Sequence, residues 1–322
     1  MSGGLDSTIA VKLMLDQGFD VEAVNFVSPF CLCKRGGCGA HTVAKNLNIP
    51  MKTVVLGNEY LKIVRNPKYG YGKNMNPCID CRILLLKKAK KYAKEIGASF
   101  IVTGEVLGQR PMSQRGDTMA LIEEKAGLRG KILRPLSGKL LPSTNAEKNH
   151  LIKRDALLEI EGRSRKAQLS FVKECNITGY SCPGGGCLLT YAGYADKMKD
   201  LFEHKKRVTI KDVQLLKTGR HFRSGKNKII VGRNEAENTF LLRARERNDY
   251  FFEAQGTGSP LTLLQGPKTR MAVETAAELT AYYSDIKQGF VSVKYGKSEA
   301  NRSIKTLVPS KEKVDAFRIT SE

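Results

Sequence analysis

The sequence has no apolar run near the roughly 20 residues that a membrane-crossing helix requires. Its start shows no basic segment followed by a hydrophobic stretch. These absences argue against a membrane span and against a secretory signal, so a cytoplasmic protein is expected. Internal repeats and low-complexity tracts are missing as well. Acidic residues are in short supply: 32 Asp+Glu stand against 54 Lys+Arg, a formal net charge of +22. An excess of that size points to a polyanion, either nucleic acid or an anionic membrane surface. With membrane signals lacking, nucleic acid is the expected partner, although charge alone also fits a basic protein that binds nothing. What is present is a globular composition, 41% hydrophobic and 27% charged. A length of 322 residues suggests two domains, each with its own core.

There are eight cysteines: Cys31, Cys33, Cys38, Cys78, Cys81, Cys175, Cys182 and Cys187. In a chain this long with no secretory signal, metal or redox chemistry is expected before disulfides. All but Cys175 fall into tight groups, and Cys175 reads as a small core residue.

The first half alternates helical and strand patterns. Ser7 to Gln17 reads as a helix, Val21 to Phe26 as a strand, His41 to Leu47 as a helix and Met51 to Leu56 as a strand. Cys81 to Ile96 reads as a long Lys-rich helix with Leu84, Leu85, Ala89, Tyr92 and Ala93 on one stripe, and Ser99 to Thr103 as a strand. This rhythm implies an α/β domain with a parallel sheet, helices on both faces and ligands beyond the strands' carboxyl ends. From about Gly138 to Lys205 the pattern breaks down. Beyond it, Lys228 to Val231, Thr239 to Leu242, Asp249 to Ala254 and Pro260 to Leu264 read as strands. Arg270 to Tyr283 reads as an Ala-rich helix and Phe290 to Tyr295 as a final strand, a smaller α+β domain. The boundary is placed at residue 205, giving domains 1–204 and 205–322.

Ser2-Gly3-Gly4-Leu5-Asp6-Ser7 stands immediately before a helix. Glycines let the backbone approach an anion, helix-start N–H groups point at it, and Ser2 and Ser7 add hydroxyls. Asp6 would repel a phosphate unless Mg²⁺ lay between them. The loop lacks the Gly-Lys-Ser/Thr ending of a Walker A motif. It resembles the pyrophosphate loop of the PP-loop (N-type) ATP pyrophosphatases, which cleave ATP to AMP and pyrophosphate while adenylating a substrate oxygen. Thr103-Gly104, after a strand, matches the family's Thr-Gly pair near the nucleotide. The resemblance implies a Rossmann-like, adenine nucleotide alpha hydrolase-like fold. It also implies ATP binding by Ser2, Gly3, Gly4, Asp6, Ser7, Thr103 and Gly104. The family places a hydrophobic strand before the loop; none precedes Ser2 here, so the sheet is expected to be short of that strand.

Cys78-Ile-Asp-Cys81 opens a helix, where the helix terminus is expected to lower thiol pKa and suit a nucleophile or a soft-metal ligand. About one hundred residues later comes Cys182-Pro-Gly-Gly-Gly-Cys187. Asn76-Pro77 through Cys81 resembles the motif of the tRNA-thiolating branch, in which Cys81 would be catalytic and Cys187 the second catalytic cysteine. The glycine-rich motif and Glu161-Gly162-Arg163-Ser164-Arg165 resemble a ThiI-like group of tRNA sulfurtransferases. In iron–sulfur members a Cys-x-x-Cys pair and one distant cysteine hold a [4Fe–4S] cluster. That implies Cys78, Cys81 and Cys187 here, with Cys182 as the alternative third ligand.

The implied reaction is ATP-dependent tRNA uridine thiolation, giving 2-thiouridine or 4-thiouridine. A uracil oxygen is adenylated, then sulfide on the cluster or a cysteine persulfide displaces AMP. Asp6 takes part with Mg²⁺, and Lys139, Arg163 and Arg165 are candidates to neutralise developing charge. A sulfur donor, sulfide or a cysteine desulfurase, is a required partner. Cys31, Cys33 and Cys38 with His41 could hold zinc, a second cluster or a sulfur relay, or be buried thiols of an irregular loop.

Residues 205–322 carry 23 Lys+Arg and 13 Asp+Glu, so both domains are basic. Val231 to Asn238, Asn248 to Ala254 and Gly256 to Ser259 resemble the NFACT-R RNA-binding domain, with Glu253 where that family often has His. The resemblance implies RNA contacts by Arg233, Asn234, Asn238 and Lys294. Phe222, Tyr250, Phe251 and Phe252 are candidate stacking surfaces, or core. Two other readings stand beside thiolation: a PP-loop RNA-modifying ligase without sulfur transfer, which would need no thiols, and a non-catalytic RNA-binding protein.

Overall fold

The computed structural model describes residues 1–32, 39–180 and 186–319. Cys33, Cys38 and Cys182 lie outside the described residues. The chain divides into two compact units, Met1–Thr190 and Tyr191–Glu322.

In the first unit, helix α1 (Leu5–Asp16) leaves the glycine loop directly. Its Leu5, Ile9, Leu13 and Met14 recur at helical spacing and are buried against Val106, Leu133, Leu136 and Val172. Strand β1 (Ala23–Val27), helix α2 (Ala40–Asn46), strand β2 (Met51–Val55) and helix α3 (Asn58–Arg65) follow. Helix α4 (Cys78–Glu95), strand β3 (Ile101–Val102), helix α5 (Gly116–Ala126) and strand β4 (Ile132–Leu133) come next. β1 pairs with β2 in parallel, from Ala23 opposite Met51 to Val27 opposite Val55, and β3 pairs with β4 in parallel. The expected continuous parallel sheet is therefore two separate parallel pairs among the described residues. Met1, ahead of the loop, lies beside β1 without forming a strand. The Met1 amino group donates to the Val24 carbonyl, and Asn25 Nδ2 donates to the Met1 carbonyl at 2.7 Å.

Two local expectations change. The buried face of α4 is Ile83 and Leu86, packed with Ile122, Ala126 and Ile132, not the Leu84–Leu85–Ala89 stripe. The partner is α5, whose Ile122 and Ala126 pack on Ile83 and Leu86 within an apolar run that is continuous from Ile83 to Leu86. The stretch expected to be irregular holds helix α6 (Asn145–Lys148) and helix α7 (Lys166–Glu174), and α7 buries Gln168 and Val172.

The second unit starts with helices α8 (Ala192–His204) and α9 (Ile210–Leu215). Strands β5 (Arg220–Ser224) and β6 (Asn227–Val231), helix α10 (Glu235–Ala244), and strands β7 (Tyr250–Ala254) and β8 (Thr262–Gln265) follow. Helix α11 (Arg270–Tyr282), strands β9 (Phe290–Gly296) and β10 (Arg302–Leu307), and helix α12 (Lys311–Asp315) complete it. The strands form one antiparallel sheet, order β10-β9-β7-β8-β6-β5. Alanines 272, 276 and 277 let α11 lie close against Phe252, Leu264, Val291 and Val293 on one face. Leu215 and Leu241 cover Ile230, Phe251 and Leu263 on the other.

The boundary lies upstream of residue 205 because α8 is tied to the sheet. Asp200 accepts from Arg223 Nε at 2.8 Å and from Arg223 Nη2 at 2.5 Å, with Lys228 Nζ 3.4 Å away. Thr239 to Leu242 is helical, not a strand. Asn234 Oδ1 accepts from the Glu237 amide at 3.0 Å and caps α10, and Glu235 and Glu237 sit in the first turn. The cap and the first-turn acids outweigh the β-like run Phe240-Leu241-Leu242.

Candidate nucleotide and thiol site

Gly3 has φ +72°, and a β-carbon there would stand 2.1 Å from the Ala40 amide nitrogen, so only glycine fits between the loop and the start of α2. Gly4 caps α1 without a side chain, which leaves the first-turn amides to a ligand. Ser7 Oγ donates to the Gly4 carbonyl at 2.9 Å, and the Ser2 and Ser7 hydroxyls are 3.2 Å apart. Thr103-Gly104 follows β3 and closes on the loop: a β-carbon on Gly104 would stand 2.6 Å from the carbonyl of Asp6. The two phosphate motifs read from sequence are thus brought together at a strand's carboxyl end. Asp6 Oδ1 accepts from Nε2 of Gln168 at 3.3 Å, and Gln168 is fully buried. A loop with one carboxylate suits Mg²⁺, which commonly uses one or two carboxylates together with substrate phosphates.

The cysteines converge from three segments. Met75 N donates to the Leu189 carbonyl at 3.1 Å and Asn74 Nδ2 to the Thr190 carbonyl at 2.8 Å, which lays the approach to α4 beside the Cys187 segment. Cys31 and Cys187 oppose each other in an isolated antiparallel bridge. Tyr60, 2% exposed, is hydrogen-bonded to Cys81 and lies within electrostatic range of Cys78 and Cys187.

Burial reverses the thiol acidity expected from a helix terminus. It pushes Cys187 up to about 12, with Cys81, Cys78 and Cys31 adding to the effect against a hydrogen bond from the Leu189 backbone. It raises Cys81, partly offset by Tyr60 and Arg82. It raises Cys78 too, with Cys81 adding and Arg82 and Arg110 opposing. Desolvation of the charged form outweighs the helix dipole here.

Sequence reasoning missed the cations that surround this site. Arg82, next to Cys81, lies 3.4 Å from Glu105, and Glu105 also accepts from Arg134 Nε at 3.0 Å. Burial alone would raise the Glu105 carboxyl; Arg82 and Arg134 outweigh it and hold the group below its usual range. Arg110 feels Arg82, Cys78, Arg165 and Asp6, so it links the thiols to the phosphate loop. Of the expected charge-neutralising residues, Arg165 belongs to this group, while Lys139 and Arg163 are exposed. The only available signal was Arg-rich composition near the motifs, which does not single out partners.

Among the described residues, no three His, Cys, Asp or Glu side chains are grouped so as to hold a metal ion. The thiols as placed do not form the [4Fe–4S] ligand set expected from Cys78, Cys81 and Cys187. Nor does His41 join Cys31: its Nε2 faces Thr53 Oγ1 at 3.4 Å.

In the second unit, most of the residues expected to touch RNA hold the fold together. Arg233 forms a paired contact with Glu237, Nη2 to Oε1 at 2.6 Å. Asn234 caps α10, and Asn238 Oδ1 accepts from the Leu261 amide at 3.0 Å. Phe222 and Phe252 are fully buried in the core and Phe251 is 7% exposed, while Tyr250 is half-buried. Lys294 stays exposed, on a sheet face that α9 and α10 leave uncovered. There Phe290 faces Leu307, Ser292 faces Lys305, and Lys294 faces Ser303. Phe290 is 65% exposed, with Lys305 Nζ 5.1 Å from its ring centre.

The first unit has the parts of an α/β nucleotide-binding domain with a thiol centre, and the second those of a sheet-based binding domain. Residues 1–153 match the family model of the thiamine biosynthesis protein ThiI, and residues 219–318 that of the NFACT protein RNA binding domain. The chain joins a ThiI-type PP-loop domain to an NFACT-type RNA-binding domain. The tRNA-specific 2-thiouridylase MnmA of Clostridium perfringens is 24% identical over 230 residues, 64% of this chain and 63% of its own length. The protein named tRNA-specific 2-thiouridylase MnmA 1 of Caldanaerobacter subterraneus subsp. tengcongensis is 35% identical over 120 residues, 32% of this chain and 33% of its own. The chain spans less than two-thirds of the length of these relatives. A solved structure of the C-terminal part of the fibronectin/fibrinogen-binding protein from Streptococcus suis covers 81% of this chain and 96% of its own. Its identity is 16% and its TM-score 0.30, too slight a likeness to bear on the fold. No helix among the described residues is long and apolar enough to cross a membrane.

Proposed function

We propose that this chain is a tRNA sulfurtransferase that adenylates a uracil carbonyl oxygen with ATP and replaces that oxygen with sulfur. The observation that carries the reading is the convergence of Cys81, Cys78 and Cys187, with Arg110 within electrostatic range of both Cys78 and Asp6 of the phosphate loop. A ligase with no sulfur step has no use for such thiols.

Ser2, Gly3, Gly4 and Ser7 bind the ATP phosphates through backbone amides and hydroxyls. Asp6 and Gln168 fix the position at which Mg²⁺ would screen the phosphate charge. The uracil oxygen attacks the α-phosphate and pyrophosphate leaves, with Arg82, Arg110 and Arg165 placed to balance developing charge. The outer sulfur of a persulfide on Cys187 then attacks the activated carbon, and AMP departs. Cys81 attacks the inner sulfur, which forms a Cys81–Cys187 disulfide and frees the thionucleoside. An external thiol reductant resets the pair. No step is routed through an iron–sulfur cluster, because no three metal-ligating side chains are grouped among the described residues.

The NFACT-type domain holds the tRNA body by its basic surface. Mass spectrometry of tRNA nucleosides from a deletion strain tests the reading: one thionucleoside should vanish, and its identity, 2-thiouridine or 4-thiouridine, names the carbonyl. An unchanged profile overturns it in favour of a non-catalytic RNA-binding protein. Loss of a nucleoside without sulfur favours the ligase. Anaerobic purification with iron and sulfide counting tests the thiol route. Iron-free protein that thiolates tRNA supports it, and stoichiometric cluster that is lost with Cys78→Ser or Cys187→Ser overturns it.

A further inference from the structure

We infer that Cys31 is a sulfur-accepting residue that loads Cys187, so that sulfur enters as a persulfide on Cys31 and passes across the bridge between the two segments. This rests on the sulfurtransferase reading and extends it to how the sulfur arrives. The sequence groups Cys31 with Cys33 and Cys38, but its neighbour in space is a residue more than a hundred positions away.

The backbone fixes the pairing closely. The Leu188 amide donates to the Phe30 carbonyl at 2.8 Å, and the Leu32 amide points to the Gly186 carbonyl at 3.4 Å. Those bonds flank Cys31 and Cys187 and do not join them, which makes the two a non-hydrogen-bonded antiparallel pair. In such pairs the Cα atoms are about 4.5 Å apart and the side chains are at their closest. That lies within the separation over which a disulfide can form, about 4.4–6.8 Å. Phe30 packs its ring edge-on to Tyr60 at 5.7 Å, and Tyr60 is bonded to Cys81, so the bridge is anchored to the remaining thiols. On the other side, Leu32 is 41% exposed, so the segment carrying Cys31 reaches the surface. Cys31, Cys187 and Cys81 are all half-buried, with Cys187 between the other two in the chain of contacts.

The chemistry balances without net oxidation. A persulfide donor, protein-borne or small, gives its outer sulfur to the Cys31 thiolate and departs as a thiolate. The Cys187 sulfur then attacks the outer sulfur of the Cys31 persulfide while its thiol proton passes to the departing Cys31 sulfur. One S–S bond breaks, one forms, and Cys31 is left as a thiol, ready for the next sulfur.

Two measurements on the full-length protein test this without tRNA. Mild diamide oxidation followed by peptide mapping should yield a Cys31–Cys187 linked peptide, absent from Cys31→Ser. Exposure to a persulfidated cysteine desulfurase should leave persulfide on Cys31 in Cys187→Ser. In Cys31→Ser the same donor should load Cys187 slower by about ten-fold or more, because a held thiol is replaced by random encounter. Loading by free polysulfide, which can reach Cys187 directly, should change little. That donor dependence is not what misfolding would give, and Cys31→Ala should repeat it. Absence of the linked peptide, or wild-type loading of Cys187 from the protein donor in Cys31→Ser, overturns the relay. Because the readouts lie on the protein itself, sulfur that passes while tRNA stays unmodified would uphold the relay and overturn the thiolation reading instead.

Discussion

The backbone of Gly104 lies directly on that of Asp6: a β-carbon on Gly104 would stand 2.6 Å from the Asp6 carbonyl carbon and oxygen. Backbone cannot yield as a flexible side chain can, so a methyl group there must push the phosphate loop away from the end of β3. Gly104→Ala should therefore impair ATP turnover far more than folding. A displacement of about 1 Å at a reacting centre costs on the order of a hundred-fold in rate. Pyrophosphate release assays and thermal unfolding of the variant check this. Wild-type turnover in Gly104→Ala would mean that the two motifs do not share a nucleotide.

Glu105 is 3% exposed and faces two guanidinium groups, Arg82 at 3.4 Å and Arg134 at 3.0 Å. Arg134 also binds Glu123. Removing the central carboxylate leaves Arg134, itself 5% exposed, short of its counter-charge. Breaking a buried pair on one side costs about 3–5 kcal/mol, so Glu105→Gln should lose stability of that order in urea unfolding. The folded-state carboxyl sits below its usual range, so its contribution is present above the unfolded pKa and fades as pH falls through the lower folded value. Stability of Glu105→Gln should thus depend less on acid than that of the parent.

A different group governs the second unit near neutrality. His221 is 2% exposed, and its Nε2 donates to the Thr218 carbonyl at 2.9 Å. Burial drives its pKa well below 6.5, and Lys228, Lys197 and Arg233 push the same way against the Thr218 carbonyl. The unfolded chain binds a proton near pH 6.5 that the folded one refuses. Stability should therefore fall as pH drops below about 6.5, by up to about 1.4 kcal/mol per pH unit. Burial also lowers Lys228 to about 8, with Asp200 opposing. From that lysine, stability should rise with pH between about 8 and its unfolded value. Hydrogen exchange of the β5 and β6 amides, corrected for intrinsic rates, reads both effects. His221→Phe should flatten the acid limb, and an unchanged limb would assign it to carboxylates instead.

Local features were legible in the sequence, and long-range ones were not. The glycine loop with its following helix and the Thr-Gly pair carry their chemistry within a few residues each, whereas Cys81 and Cys187, more than a hundred positions apart, are linked in the sequence by family resemblance alone. α10 was misread because Phe240-Leu241-Leu242 outweighed the cap at Asn234, which only matters once Leu241 has a core to enter. The direction of the thiol shifts came out opposite because a helix terminus is local, whereas burial under Tyr60 and Phe30 is tertiary. Cys31 facing Cys187 left no trace in spacing. Neither did Gln168 reaching Asp6 from α7, a contact made across 162 positions.

Lys294 is the one expected RNA contact that the fold leaves free among the four, and its surroundings suggest how RNA is held. On the uncovered face of β9 and β10, Phe290 offers a ring, and Lys294 and Lys305 sit on neighbouring strands one diagonal step apart. An exposed aromatic flanked by lysines on a flat sheet suits an unpaired base and its phosphates. Phe290→Ala should weaken tRNA binding by about 1–3 kcal/mol, the usual worth of one stacked base. Lys294→Ala with Lys305→Ala should weaken binding and lower the salt slope by about one for each lysine. Fluorescence anisotropy across a salt series separates the two effects, and Phe290→Tyr should restore most of the affinity. Arg233→Ala should instead lower stability and leave the salt slope nearly unchanged, because its guanidinium is already committed to Glu237. If Arg233→Ala shifts the slope and the Phe290 and lysine variants do not, the RNA lies over α10 and not over the uncovered β9–β10 end of that face.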